Sequence, residues 1–168
     1  SEPVLVMASG AIAIEAGNAH SLILRSDGSL WAFGSRSWGR LGEGYLSDRN
    51  VPVKIVEYGV VSISAGNEHS LFVKADGSLW GMGWNGNAAL GLGDKLERNA
   101  TTQILSSGVK YVSTGENHTL FVKTDGSLWG MGQAGEGALG SVSGEVLNPI
   151  QILSSGVDYA VAGDGGHT

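Results

Sequence analysis

Cysteine is absent from the 168-residue chain, which removes disulfide staples and thiolate metal sites from consideration. Proline is scarce, at three residues. No run approaches the roughly eighteen apolar residues that a membrane-spanning helix needs, so membrane insertion is not expected. Basic residues are the minority: ten Lys and Arg stand against sixteen Asp and Glu, for a formal net charge of -6. A partner held mainly through phosphates wants a basic face, so no nucleic-acid partner is expected. The opening SEPVLVMASG lacks the basic and long apolar segments of an export signal, so any such signal is expected to be absent or already removed. Fingerprints of a P-loop or a dinucleotide site are missing as well, because the glycines follow strands into further strands.

Glycine is abundant instead: 28 residues, against a usual share of roughly 7 %. With little proline and no collagen period, this predicts many tight turns. The chain also repeats itself. HSLILRSDGSLWAFG begins at His20, HSLFVKADGSLWGMG at His69 and HTLFVKTDGSLWGMG at His118, each 49 residues after the last, and GGHT restarts the pattern at His167. We divide the single domain, residues 1–168, into repeats at approximately 3–51, 52–100 and 101–148 with a partial copy at 149–168.

Each unit holds four short apolar runs, exemplified by VVSISAG, HSLFVK, SLWGMG and PVKIVEYG. Asp-Gly between the second and third is a strong hairpin signal, since glycine accepts the positive φ of such turns. Four antiparallel strands repeating every 40 to 50 residues or so describe a β-propeller blade. A β-helix uses shorter rungs, and a sandwich would not copy its hairpin so faithfully.

The run AGNEHSLFVKADGSLWGMGWNGNAALGLG, residues 65–93, resembles the repeat of the RCC1 (regulator of chromosome condensation) family, and all three units carry it. The matching elements are Ala-Gly-x-x-His-Ser, Asp-Gly-x-Leu-Trp-x-x-Gly and Leu-Gly-x-Gly. The resemblance implies an all-β fold of RCC1-like four-stranded blades, three whole and a partial fourth. Such a ring is incomplete or is completed by oligomerisation. A piece of a longer chain is the leading expectation, and a homo-oligomer completing the propeller is its competitor. The resemblance also implies protein recognition from one propeller face.

Residues repeated in every unit are expected to build the scaffold. Trp31, Trp80 and Trp129, with Leu30, Leu79, Leu128, Leu41, Leu90 and Leu139, are expected in the core between blades. Asp27, Asp76 and Asp125 offer one carboxylate per turn, too few for calcium, and should brace the turns. His20, His69, His118 and His167 lack neighbouring carboxylates or cysteines, so a bond to loop backbone is expected rather than a metal site. No metal and no cofactor are expected.

Function should sit where the copies differ. One variable loop holds Arg36 and Trp38, then Trp84, Asn85 and Asn87, then Gln133 and Glu136; a second begins at Tyr45 and Leu46 in the first unit. Tryptophan and arginine are frequent interface anchors, and these seven residues are the candidate partner-binding set. On the first strand, the columns Ile12, Val61, Lys110, Asp158 and Glu15, Ser64, Ser113, Val161 are expected to see solvent or the central channel. No catalytic set assembles: Glu43, Asp48, Asp94 and Glu136 are carboxylates that nothing in the sequence brings to the ~5 to 10 Å of glycosidic chemistry. The expected function is a protein-binding scaffold module. The alternatives are a carbohydrate-binding or polysaccharide-active exported protein and a structural array of a bacterial surface protein. Near-identical repeats favour a secreted or bacterial cell-surface location over a cytoplasmic one.

Overall fold

The computed structural model describes residues 5–44 and 47–163, without the side chain of Glu136. Three four-stranded antiparallel sheets follow one another along the chain. The first comprises β1 (Ala11–Ala16), β2 (His20–Arg25), β3 (Leu30–Gly34) and β4 (Arg49–Val56). The second comprises β5 (Val60–Ala65), β6 (His69–Lys74), β7 (Leu79–Gly83) and β8 (Arg98–Leu105). The third comprises β9 (Val109–Thr114), β10 (His118–Lys123), β11 (Leu128–Gln133) and β12 (Glu145–Leu153). Order in space equals order in sequence within each sheet. Only two short 3-10 turns, Ser37–Gly39 and Gly135–Gly137, interrupt the all-β pattern among the described residues.

The hairpin turn is braced by its own side chains. Asp76 Oδ1 accepts the Ser78 backbone N–H at 2.9 Å and the Ser78 hydroxyl at 2.6 Å, and Ser78 Oγ accepts Trp80 Nε1–H at 2.8 Å. Asp27 with Ser29 and Trp31, and Asp125 with Ser127 and Trp129, repeat the relay. The hydrogen bonds from serine hold all three aspartates below the ordinary carboxylate pKa. Gly77, at φ 78°, turns the chain and offers its carbonyl to Val109 N–H at 2.9 Å, so the turn of one sheet seats the inner strand of the next.

Apolar layers fill the spaces between sheets. Leu22, Leu24, Leu30 and Leu41 of the first sheet meet Val60, Ile63, Phe72 and Met82 of the second. Leu71, Leu79 and Leu90 then meet Val112, Phe121 and Met131 of the third. Strands β6 and β10 are accordingly buried on both faces, as stacked sheets require. The repeated tryptophans correct the expectation of a core position. Trp31, Trp80 and Trp129 are half-buried, sealing the rim of each sheet with a cation over the ring. Lys54 lies 5.6 Å from the Trp31 centroid, Lys74 4.8 Å from Trp80 and Lys123 3.8 Å from Trp129.

Beyond β12, Val157 N–H bonds Gly126 O at 3.0 Å, and Ala162 N–H bonds Ser113 Oγ at 3.0 Å. The second contact copies Thr114 N–H on Ser64 Oγ, also 3.0 Å. The segment therefore docks where a further inner strand would lie, although it forms no strand among the described residues. These bonds also revise one column of the first strand. Ser64 and Ser113 are buried between sheets, whereas Val161 is exposed. Ile12, Val61, Lys110 and Asp158 are exposed, with Lys110 Nζ 3.4 Å from Asp158 Oδ1.

Candidate functional site

Because neighbouring strands alternate in direction, the β1–β2 and β3–β4 connections of each sheet emerge on one face. The Asp-Gly turns emerge on the other. The first face carries the variable loops. The first two loops of the β3–β4 type lean across the next sheet: Gly44 N–H bonds Asn99 O at 2.7 Å, and Gly93 N–H bonds Leu147 O at 2.9 Å. Loops from successive blades therefore form one continuous surface.

Trp38 and Trp84 come together on that surface although 46 residues separate them. Their ring centroids lie 4.6 Å apart at 58°, within the range of favourable aromatic pairs. Trp38 stays 47 % exposed and has φ 63°, a left-handed conformation that bulky residues adopt rarely. Arg36, Trp38, Asp48, Asn50, Glu97 and Asn99 border an open cleft of about 1030 Å³ beside the pair. Arg36 is exposed, and its backbone N–H bonds Asp48 Oδ1 at 3.0 Å. A smaller cleft of about 290 Å³ nearer the axis is bordered by Asn18, Asn67 and Glu116.

The other candidates divide. Asn85 does not face a partner: it is fully buried. Its amide donates to Asp94 O at 2.8 Å and accepts Leu90 N–H at 2.9 Å, so it braces its own loop. Asn87 is half-buried and donates to Asn117 Oδ1 at 2.7 Å, tying the second blade to the third. Gln133 is exposed, and Glu136 lies in the second 3-10 turn. Tyr45, Leu46 and His167 fall outside the described residues.

His20 and His69 bond side chains rather than loop backbone. His20 Nε2 lies 2.7 Å from Ser70 Oγ, and His69 Nε2 lies 3.3 Å from Thr119 Oγ1, each hydroxyl belonging to the following blade. Ser70 gives its own proton to Arg40 O at 3.0 Å, and Thr119 gives its proton to Ala89 O at 2.8 Å. The imidazoles must then donate from Nε2 and remain neutral. Burial, with Arg40 adding repulsion, lowers the His20 pKa to about 4. Burial lowers that of His69 to about 3, with the neighbouring histidines adding to it. His118 is shifted down by burial as well. No group of three or more His, Asp or Glu close enough to hold a metal ion occurs among the described residues.

Sequence reasoning missed Arg40. It stands where the other units have Ala89 and Ala138, a departure that could have marked it. Arg40 is 3 % exposed, pairs with Glu68 of the next blade and donates from Nε to Ser37 O at 2.8 Å. It therefore fastens the Trp38 loop from beneath.

Blades of this design, coupled through their turns, histidines and closing loops, define a β-propeller repeat protein with a variable loop face. The regulator of chromosome condensation (RCC1) repeat model matches residues 27–73 and 76–122, and a second model of that description matches residues 11–40, 60–88 and 109–138. The chain belongs to the RCC1 repeat family. Human WBSCR16 is similar in structure, at TM-score 0.81 and 28% identity over 92% of this chain and 43% of that one. Prp20p from Saccharomyces cerevisiae, described for its binding to Gsp1p and histones, has a TM-score of 0.75 and 21% identity, over 86% of this chain and 39% of that one. Yeast RCC1 (Prp20) in complex with Kap60 gives the same TM-score and identity, over 37% of its length. The chain thus spans about two fifths of these relatives. No curated protein sequence matches it. The expectation of a secreted or bacterial cell-surface protein is overturned here, because these relatives are human and yeast proteins and not of that kind.

Proposed function

We propose that the chain is a protein-interaction module that docks its partner on the face carrying the β3–β4-type loops. Arg36, Trp38 and Trp84 form the centre of contact, with Asn87, Gln133 and Glu136 on the equivalent loops beside them. The observation that carries this reading is the Trp38–Trp84 pair, with Trp38 exposed and Trp84 half-buried, which joins two blades without belonging to the repeated scaffold. Paired aromatics beside an arginine are the composition of an interface centre. The yeast relative, which binds Gsp1p and histones and is known in complex with Kap60, agrees with a fold used for docking proteins.

A photo-crosslinking residue placed at position 37, where exposed Ser37 borders the cleft beside an intact Trp38, tests the reading against one at position 58, where exposed Tyr58 marks the opposite face. A defined partner captured from position 37, and lost on adding Trp84→Ala, is the expected result. Capture only from position 58, or from neither, rejects the loop face as the docking surface.

A further inference from the structure

The structure treats its tryptophans in two ways. Each repeated one already carries a cation over its ring, from Lys54, Lys74 or Lys123 of its own blade. Trp38 and Trp84 have no such cation among the described residues, although Trp38 is exposed beside an open cleft.

Charge in that cleft is unbalanced in one direction. Around it the acids are matched: Glu43 with Arg49, Glu68 with Arg40, Asp94 with Arg98 and Glu145 with Lys95. Asp48 and Glu97, both bordering the cleft, make no ion pair within 4.0 Å among the described residues, although Asp48 lies near enough to the Arg40 guanidinium to act on its charge. Among the described residues Asp48 accepts only the Arg36 backbone N–H, and Glu97 only a 3.3 Å bond from Asn99 Nδ2. Among the described residues Arg36 is the single cation bordering the cleft, so two carboxylates there outweigh one guanidinium. An indole face with carboxylates nearby is the environment that a lysine ammonium or arginine guanidinium prefers, through cation–π attraction and charge-assisted hydrogen bonds.

We propose that the cleft beside Trp38 is a socket for a lysine or arginine side chain of the docked protein, seated on the indole and facing Asp48 and Glu97. This rests on the docking reading above and adds the chemistry of the residue that enters. The partner surface is then basic, matching the net negative charge of this chain.

The test uses capped pentapeptides, Gly-Gly-X-Gly-Gly, with X as Lys, Arg, Glu or Leu, titrated into the intact chain. The indole N–H resonances of the five tryptophans are followed by NMR, with Trp38 assigned from Trp38→Phe. The Lys and Arg peptides should shift Trp38 while leaving Trp80 and Trp129 unmoved. Their affinity should drop about tenfold or more in Asp48→Asn/Glu97→Gln, the order of loss expected when a cation loses its carboxylates. Unchanged Trp80 and Trp129 resonances in that variant show that it is folded. Equal shifts from the Glu or Leu peptides, no shift at all, or Lys binding undiminished in the double variant would each overturn the proposal. If crosslinking at position 37 succeeds while the cationic peptides fail, the docking face stands and only the socket chemistry is rejected. If both fail, both readings go.

Discussion

His20 Nε2 and Ser70 Oγ meet at 2.7 Å across the boundary between the first two blades. The serine hydroxyl is simultaneously committed to Arg40 O at 3.0 Å. One buried hydroxyl thus joins a strand, a histidine and a closing loop.

Removing that hydroxyl should cost more than a surface change. Ser70→Ala leaves a buried imidazole donor and a carbonyl without partners, a loss of about 1–3 kcal/mol. Urea unfolding should show it as a lower midpoint at unchanged slope. A midpoint within experimental scatter of the wild type would mean that the relay does not hold the blades together.

Stability should fall as pH falls below about 6.5. The folded pKa values of His20 and His69, about 4 and 3, lie under the ordinary 6.5, so the unfolded chain binds protons that the folded one refuses. Their contribution is complete above 6.5 and is lost progressively toward 4 and 3. Glu15, raised by burial, runs the other way above its ordinary 4.5. Denaturation midpoints at pH 8, 6 and 5 should decline, and His69→Gln should flatten the decline. A level profile in the wild type refutes the assignment.

Gly66→Ala should destabilise by about 1–3 kcal/mol, the usual range for overpacking. The added Cβ would lie 2.7 Å from Gly115 O and 2.6 Å from the His69 ring. Gly135→Ala is the control, because its Cβ would meet nothing closer than 3.7 Å. Thermal melts of the two variants should separate clearly, and equal melts would count against the close approach.

The Arg40–Glu68 pair should respond asymmetrically. Arg40→Ala restores the residue that the other units carry at this place and releases a carboxylate that can reach water. Glu68→Ala strands a buried guanidinium, a loss of about 3–5 kcal/mol in comparable cases. Calorimetry on both variants should rank Glu68→Ala as the more damaging, and the reverse order would sink the account.

Trp38→Ala should hardly change stability, whereas Trp80→Ala should lower it by at least about 1 kcal/mol, since Trp80 packs against the first apolar layer. Partner capture should fail for the first and survive in the second while it remains folded. The same loss of capture in both would assign Trp38 no special place.

Local chemistry was legible in the sequence. Asp-Gly-Ser-Leu-Trp wrote out the hairpin because its bonds span two residues, as from Asp76 to Ser78 to Trp80. Contacts between blades were not, because they depend on how sheets stack. Nothing in the neighbourhood of His20 names Ser70, and a serine or threonine following each histidine looks like ordinary strand filler. Asn85 and Arg36 occupy equivalent positions, yet one is buried and the other exposed; only the folded loop separates brace from contact. Trp38 and Trp84 could be singled out as unrepeated, but their pairing needed the loop to cross a blade boundary.

The histidine and serine bonds between blades share one reach along the chain. His20 to Ser70 and His69 to Thr119 each span 50 residues, as does Ser64 to Thr114, and Ser113 to Ala162 spans 49. A change that removes or adds one complete unit leaves each donor opposite an acceptor of the same kind. A change of a single residue inside an inner strand puts them out of step. Such a gene can lengthen or shorten in whole blades at little structural penalty, and each added blade brings a loop on which new recognition can be tried.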